Sequence, residues 1–442
     1  MPADRLHRWE RIGLVVAAVF LVAFGALITT RSAFMMNPKT DFQCYARAAW
    51  AVRADSDIYD AIDNNGWHYA YTPAFAIAMA PLADPYPFLP RDGYLPLWAS
   101  VAIWYVLSVL AIGIATHAFA RAVLPNLEPR SRAWWYARLV PVYICVGSLG
   151  HTLGRGQVNT IVLALIALGF AATMRHRRFL GGAWLALAAI VKIIPTLLVL
   201  FPLVRRDGRG LLGAAAAVVL FVGLAPALVW GPERSLELHA KLARVVLGPV
   251  FTDDGDQVRA KELHGIAATD NQSVRAAVQA WLYPDLETRP TRAVPIANLA
   301  HAVATIGMLA VTVFTGWRRL GPSPVDQLLF LGALCAVMLL ATPVSHMHYY
   351  AYAFPLVAGL WYRGLLDRPG SMIADRRTIL LLAGWTVATC IPLFSGPVFD
   401  RLRECGLGIV VTMILWAAGI RAILTQPRAA AADPISAPRL AA

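Results

Sequence analysis

Long apolar runs alternate with short polar loops along almost the whole chain. A transmembrane α-helix needs about 20 mostly apolar residues, and many of these runs approach that length. The run at 179–204 is interrupted by Lys192 and Pro195, which favours a hairpin of two short helices over one crossing. The other runs lie at 12–30, 95–120, 134–149, 157–174, 210–230, 293–317, 325–342, 346–362, 378–396 and 406–424. The pattern therefore predicts an all-α polytopic membrane protein with about twelve transmembrane helices.

Composition and charge support this class. Hydrophobic residues make up 58% of the chain and charged residues 15%, whereas soluble domains carry about 25% charged residues. The net charge of +13 comes from basic clusters in short loops, which fall on one side when the predicted spans alternate. The clusters are Arg5/Arg8/Arg11, Arg121/Arg130/Arg132, Arg175–Arg178, Arg205–Arg209, Arg318/Arg319 and Arg363–Arg377. This distribution is typical of cytoplasmic loops and argues against a nucleic-acid partner.

The same alternation predicts a topology in the cell membrane with cytoplasmic N- and C-termini. The first apolar segment has a basic front but no small-residue cleavage site, so we expect a retained anchor. Residues 1–426 form one predicted transmembrane domain, with extracytoplasmic loops at 31–94 and 231–292. Residues 427–442 are rich in Ala and Pro and are predicted to be a disordered cytoplasmic tail.

Residues capable of chemistry gather on the extracytoplasmic side of this topology. Asp41 follows the first predicted span, Arg155 lies in a short loop, and Lys192 lies at the top of the hairpin. His346 and His348 share a tight turn on the same side. No predicted span carries an acidic residue in its interior. We therefore expect an active site built by the extracytoplasmic loops.

Each of these residues also has a purely structural interpretation. Asp41 could cap the helix that follows it, because Asp is a favoured N-cap residue, although capping does not exclude catalysis. Lys192 could extend to the membrane surface, but the cost of a lysine among apolar residues favours anion binding. Arg155 could only mark a tight turn, and His346 and His348 could belong to an aromatic belt.

Acidic pairs in two loops resemble metal motifs, at Asp55-x-Asp57 and at 253–256. Such pairs are common in loops, so no metal ligand is predicted. The sequence also lacks a Gly-rich phosphate loop or a soluble nucleotide-binding domain. No cofactor is therefore predicted.

The charged residues fit glycosyl transfer from a lipid-phosphate sugar. Basic side chains at a membrane face can hold a phosphate while the bilayer takes the lipid tail. A carboxylate opposite can deprotonate an acceptor hydroxyl as it attacks the sugar carbon. Lys, Arg or His beside the phosphate would stabilise the charge that develops as it leaves.

Five segments, in order along the chain, resemble glycosyltransferase family 87 of the GT-C superfamily. Two come from the first loop, where Asp41-Phe42-Gln43-Cys44-Tyr45 through Asp60 is followed by Tyr69-Ala70-Tyr71-Thr72-Pro73 through Leu82. The others are Gly156-Gln157-Val158-Asn159, Lys192-Ile193-Ile194-Pro195, and Asn271-Gln272-Ser273 with Thr342-Pro343-Val344-Ser345-His346-Met347-His348. The chain departs from the family pattern at Cys44, Ala46, Thr72 and His346.

The resemblance implies a GT-C-type bundle and a role for each matched residue. It makes Asp41 the catalytic base, and Lys192 and His348 partners of the donor phosphate, where Arg155 is a further candidate. The residues expected to line the cavity or contact substrate are Tyr45, Tyr71, Gln157, Asn159, Asn271, Gln272 and His346. The implied reaction moves a sugar, mannose in particular, from a polyprenyl-phosphate donor to an extracytoplasmic lipid or glycan acceptor.

A transporter or lipid flippase is the alternative from another class. Transporters tend to carry ionisable residues near the membrane midplane and often show internal repeats. The predicted spans lack interior acidic residues, and no half-to-half repeat is evident, which disfavours a proton-coupled carrier. A flippase with a basic lateral cavity stays open, as does a non-catalytic membrane scaffold.

Overall fold

The computed structural model describes residues 6–247, 266, 271–368 and 374–425, and within these ranges the chain is helical. The α-helices are α1 (Arg8–Phe34), α2 (Phe42–Arg53), α3 (Pro73–Met79), α4 (Leu97–Val123), α5 (Arg132–Ile144), α6 (Val146–Arg155), α7 (Asn159–Met174), α8 (Arg178–Val191), α9 (Leu200–Val204), α10 (Gly208–Val218), α11 (Ala225–Trp230), α12 (Pro232–Leu242), α13 (Val274–Leu282), α14 (Pro295–Arg319), α15 (Pro324–Ala341), α16 (Phe354–Leu366), α17 (Arg376–Cys390), α18 (Pro397–Glu404) and α19 (Leu407–Leu424).

Shorter helical turns join several of these helices. They are 3₁₀ turns at Ile58–Asp60, Ala80–Leu82, Ile194–Val199, Met347–Ala353 and Ile391–Leu393, and π turns at Val219–Leu224 and Ala243–Leu247. In the described ranges, pairing of extended segments is limited to one isolated bridge between Ile62 and His68. The all-α class predicted from the sequence is confirmed. The acidic segment at 253–256 and the predicted tail at 427–442 lie outside the described residues.

Several helices are long and apolar enough to cross a membrane, as expected of a multi-pass membrane protein. The described residues include six: α1, α4, the continuous segment Gly208–Trp230, α14, α15 and α19. A seventh crossing results if Arg376–Leu393 and Pro397–Glu404, which meet at a bend of 118°, count as one span. The expectation of about twelve crossings is not confirmed.

The difference arises because several apolar runs fold as short or broken helices. The run at 134–149 becomes α5 and α6, which meet at Cys145. The run at 157–174 becomes the 16-residue α7, and the run at 346–362 becomes a 3₁₀ turn followed by the 13-residue α16. The run at 179–204 is broken at the predicted place, because α8 ends at Val191 and the next helical turn begins at Ile194.

The core centres on α15, which is buried from Val325 to Leu340 and packs against α14, α16 and α19. A Cβ added at Gly332 would lie 2.5 Å from the Leu356 backbone, so α15 and α16 approach closely only because position 332 has no side chain. Small residues commonly permit such close helix packing in membranes. In contrast, α1 is largely exposed, as expected for a helix facing lipid.

The first loop is fixed to this core through α2. Arg47 lies on α2 and is almost completely buried, with its Nη2 atom 3.3 Å from the Asp84 Oδ2 atom. The Arg47 Nη1 group donates to the Asp84 backbone carbonyl over 3.2 Å, and Arg91 pairs with the other carboxylate oxygen over 2.9 Å. Because breaking a buried pair leaves an uncompensated charge, this contact strongly restrains α2 and the residue before it, Asp41.

Candidate active site

Asp41 lies at the N-cap position of α2, but its side chain forms no capping hydrogen bond among the described residues. The Asp41 Oδ2 atom instead accepts a hydrogen bond from Arg155 Nε over 3.3 Å. The Asp41 backbone N–H donates to the Arg155 carbonyl over 2.7 Å. The two side chains are 16% and 26% exposed, so a substrate can reach both. The structure therefore does not support the interpretation of the Asp41 carboxylate as a simple helix cap.

Arg155 is the last residue of α6, and Gly156 ends that helix in the left-handed conformation with φ of 66°. The predicted tight turn is therefore present, and the arginine side chain still takes part in the site. Its Cζ atom lies 4.7 Å from the ring centroid of Trp67, in a cation–π arrangement. We call Asp41, Arg155 and Trp67 the base region.

A tight turn holds Trp67 against Arg155. The Asp63 carboxylate accepts hydrogen bonds from the backbone N–H groups of Asn65 and Trp67, at 2.7 and 2.9 Å. The Asn65 Nδ2 group donates to the Thr40 carbonyl over 3.2 Å, which ties the turn to the residue before Asp41. Burial raises the pKa of Asp63, and these hydrogen bonds act against that change. The Asp63–Gly66 series of turn residues was the available sequence signal for Trp67, which sequence reasoning missed.

Lys192 lies outside every candidate span, at the break after α8, and its side chain points into the protein. Its Nζ group donates to Asn159 Oδ1 over 2.8 Å and to Gln157 Oε1 over 3.4 Å. It also lies 4.3 Å from the ring centroid of Tyr349. Burial lowers the pKa of Lys192 to about 7, although the nearby Asp41 carboxylate raises it.

Two tyrosines extend this polar network. Tyr45 and Tyr71 have their hydroxyl groups 3.0 Å apart, and each donates to Gln157 Oε1 over 3.3 Å. From the other side, the Tyr352 hydroxyl donates to Asn159 Oδ1 over 2.7 Å. Burial raises the pKa of Tyr71, and the Asp41 carboxylate raises it further. We call Lys192, Gln157, Asn159 and Tyr352 the buried cation region.

His348 lies beside the buried cation region and stacks with two other histidines. Its ring lies parallel to that of His151 at 5.8 Å between centroids and stacks on that of His346 at 5.6 Å. Its backbone carbonyl accepts a hydrogen bond from Asn159 Nδ2 over 2.8 Å. Burial lowers the pKa of His348 well below its usual range, and the positive charge of Lys192 lowers it further. The ring is therefore held as a neutral imidazole.

The side chains of Asn271 and Gln272, which were expected to line the cavity, accept hydrogen bonds from backbone N–H groups. The Asn271 Oδ1 atom accepts from the backbone N–H groups of Ser273 and Ser345, at 3.0 and 3.1 Å. The Gln272 Oε1 atom accepts from the Gly408 backbone N–H over 3.1 Å. The Asn271 contact fastens the late loop to the segment that carries His346 and His348, and the Gln272 contact fastens it to α19. Contact of Asn271 and Gln272 with substrate stays a prediction.

Three acidic residues of the first loop, Asp55, Asp57 and Asp60, are paired with basic residues of α12. Lys241 Nζ lies 2.5 Å from Asp57 Oδ2 and 2.7 Å from Asp60 Oδ1, and Asp55 pairs with Arg234. A search of the described ranges finds no group of three or more His, Cys, Asp or Glu side chains suited to a metal ion. The contacts of Asp55 and Asp57 are thus those of ion pairs linking the first loop to α12.

A helical membrane protein with one carboxylate beside clustered lysine, arginine and histidine side chains has the groups that transfer from an anionic lipid donor requires. The family assignment agrees: the chain belongs to glycosyltransferase family 87, whose model matches residues 69–343, more than half of its length. The resemblance found in the sequence motifs is confirmed, and so is the glycosyltransferase class. Lys192, Arg155 and Gln157 lie inside the matched region, whereas Asp41 and His348 lie outside it.

Curated relatives carry two kinds of activity. An alpha-(1->3)-arabinofuranosyltransferase of Corynebacterium glutamicum is 25% identical over 53% of this chain and 53% of its own length. A polyprenol-phosphate-mannose-dependent alpha-(1-2)-phosphatidylinositol mannoside mannosyltransferase of Mycolicibacterium smegmatis is 26% identical over 77% of this chain and 72% of its own. A pentamannoside mannosyltransferase with the same donor dependence, from the same organism, is 26% identical over 88% and 83%. The chain thus spans about half of the first relative and most of the other two.

Proposed function

We propose that the protein transfers mannose from a polyprenyl-phosphate donor to a lipid or glycan acceptor on the extracytoplasmic side of the cell membrane. The observation that carries this proposal is the position of the partly exposed Asp41 carboxylate beside Arg155. Asp41 is also close enough to Lys192 for its charge to raise the pKa of that lysine. The mannosyl donor is favoured because the relatives aligned over most of this chain depend on polyprenol-phosphate-mannose.

In this mechanism Asp41 acts on the acceptor. Its carboxylate takes the proton of the acceptor hydroxyl, whose oxygen forms a new bond to the anomeric carbon of the sugar. The bond from that carbon to the phosphate oxygen breaks, and its electron pair leaves with the polyprenyl phosphate. Attack opposite the leaving group inverts the configuration. The partial exposure of Asp41 leaves room for the hydroxyl to approach.

Cationic and polar groups act on the donor. Lys192 and Arg155 bind the phosphate and stabilise the charge that develops on it, while the neutral His348 ring donates a hydrogen bond. Tyr71 and His346 contact the donor or the acceptor sugar around them, while the fully buried Tyr45 supports Tyr71 through its hydroxyl group. Because a phosphate is a good leaving group, the reaction needs no separate acid from the protein.

The test uses purified protein in vesicles with labelled polyprenyl-phosphate mannose, a membrane extract as acceptor source, and polyprenyl-phosphate arabinose as the competing donor. We expect label from mannose to enter extract lipids or glycans. Asp60→Asn is the matched control for Asp41→Asn, because Asp60 is an exposed first-loop carboxylate paired with Lys241. Transfer from arabinose alone contradicts the sugar assignment, and movement of the intact donor lipid without transfer supports a flippase instead.

A further inference from the structure

The Arg155 guanidinium contacts the proposed catalytic base, and its charge also acts on His348, which is assigned to the donor phosphate. It donates to Asp41 through Nε alone, over a long 3.3 Å contact. Strong arginine–carboxylate pairs are usually bidentate and shorter. Among the described residues, neither Nη group of Arg155 forms a hydrogen bond, so most of its donors remain available to a ligand. The Asp41–Arg155 ion pair can therefore separate when another anion binds Arg155.

The surroundings of Arg155 allow its guanidinium to bind either Asp41 or a phosphate. Trp67 supports one face of it at 4.7 Å, and a stacked guanidinium can turn in its own plane while keeping that contact. The positive charge of Arg155 also contributes to the low pKa of the buried His348. Arg155 is therefore close enough to act electrostatically on a group assigned to the donor phosphate. A phosphate arriving there carries a charge that competes directly with the Asp41 carboxylate.

We propose that Arg155 changes partner on donor binding, leaving Asp41 for the donor phosphate and so releasing the carboxylate to act as base. A carboxylate that Arg155 has left offers both of its oxygens to the acceptor hydroxyl. The exchange makes donor binding precede activation of the acceptor. Trp67 is then a positioning residue that keeps the guanidinium in reach of both partners. This inference rests on the proposed function.

The test is a double-mutant cycle read by binding, without turnover. The probe is farnesyl phosphate, titrated into wild-type protein, Asp41→Asn, Arg155→Gln and the double variant in detergent. Asp41→Asn removes the competing charge and should tighten binding roughly fivefold, the size of a partly exposed ion pair of about 1 kcal/mol. In the Arg155→Gln background the same change should alter binding by less than about twofold.

A matched control separates exchange from general electrostatics. Lys192 is a cation that bonds to Gln157 and Asn159 and not to Asp41, so Asp41→Asn should still tighten binding in a Lys192→Gln background. Equal tightening in the wild-type and Arg155→Gln backgrounds overturns the exchange. Tightening lost in both the Arg155 and Lys192 backgrounds overturns it as well. If no variant binds farnesyl phosphate, the proposed function itself fails and the inference falls with it.

A second measurement guards against a misfolded Arg155→Gln. Arg155→Lys keeps the charge but loses the planar group, and the variants should share the wild-type melting temperature. With Arg155→Lys or Trp67→Leu, the pH dependence of kcat/KM for the acceptor should shift, whereas Trp67→Phe should restore it. A wild-type pH profile in both Arg155→Lys and Trp67→Leu counts against the exchange.

Discussion

The base region and the buried cation region lie side by side but are held in different ways. In the base region, Asp41 and Arg155 are partly exposed and meet through one long hydrogen bond. In the buried cation region, Lys192 is 6% exposed and Asn159 is fully buried, and short hydrogen bonds join both to fixed partners. On the proposed mechanism, the base region would change its contacts during turnover, while the buried cation region is already organised to receive charge.

The largest effect is expected from Asp41→Asn, which removes the base and leaves the surrounding cations in place. Turnover should fall by about 10³-fold, within the range that general base catalysis contributes. The donor should still bind, because the buried cation region is untouched. The measurement is kcat at saturating donor, with Asp60→Asn expected to stay within about twofold of wild type. Near-normal turnover of Asp41→Asn would sink the assignment of the base.

Lys192→Ala removes the charge of the buried cation region. It should raise the donor KM by about 30-fold, because a charged hydrogen bond worth about 2 kcal/mol is lost. The control is Lys241→Ala, since Lys241 pairs with Asp57 and Asp60 away from the site. Donor affinity and rate both unchanged in Lys192→Ala would mean that the lysine only fills space. That result would contradict a role of the buried cation region in donor binding.

The low pKa of Lys192 predicts a pH dependence of donor binding. Because that pKa is about 7, the amine is charged below pH 7 and increasingly neutral above it. The donor phosphate is a diester that stays anionic, and the His348 ring is already neutral, so the donor KM should rise above pH 7 by up to about tenfold per unit. Lys192→Arg should flatten this rise, because a guanidinium stays charged. A wild-type KM that is constant between pH 6 and 9 contradicts the assignment.

The smallest effect is expected from Trp67→Leu, which removes the ring under Arg155. The lost cation–π contact at a partly exposed site is worth about 1 kcal/mol, so kcat/KM should fall roughly fivefold. Trp98→Leu, at an exposed tryptophan of α4, serves as the control. An equal loss in both variants would show that Trp67 has no particular link to the base region.

The sequence allowed the helix break beside Lys192 to be predicted. A lysine interrupting an apolar run implied a break in the helix, and the structure has α8 end beside Lys192. Trp67 was missed because its role depends on a turn held by Asp63, and no periodicity marks a single aromatic side chain in a loop. Asn271 and Gln272 could be found as motif residues, but only the fold shows that their side chains hold backbone N–H groups.

The predicted number of spans is not confirmed, for a similar physical reason. An apolar run indicates that a segment lies away from water. Because this is true both of a helix facing lipid and of a helix buried in protein, the run alone does not identify a membrane span. The run at 157–174 became α7, whose side chains are buried mostly by other helices. Pro195 and the junction at Cys145 break other runs into pieces whose lengths depend on tertiary contacts.

Gly156 separates the two regions by a single residue, with Arg155 before it and Gln157 after it. Its left-handed backbone disfavours any side chain, a Cβ there would lie 3.3 Å from that of Phe42, and its carbonyl accepts a hydrogen bond from Trp104 over 2.8 Å. An engineer who wishes to alter the sugar donor through this segment would therefore disturb the catalytic alignment in the same step. The Asp63–Trp67 turn contacts the base region, so a change there would act on Arg155 while leaving the hydrogen bonds of the buried cation region in place.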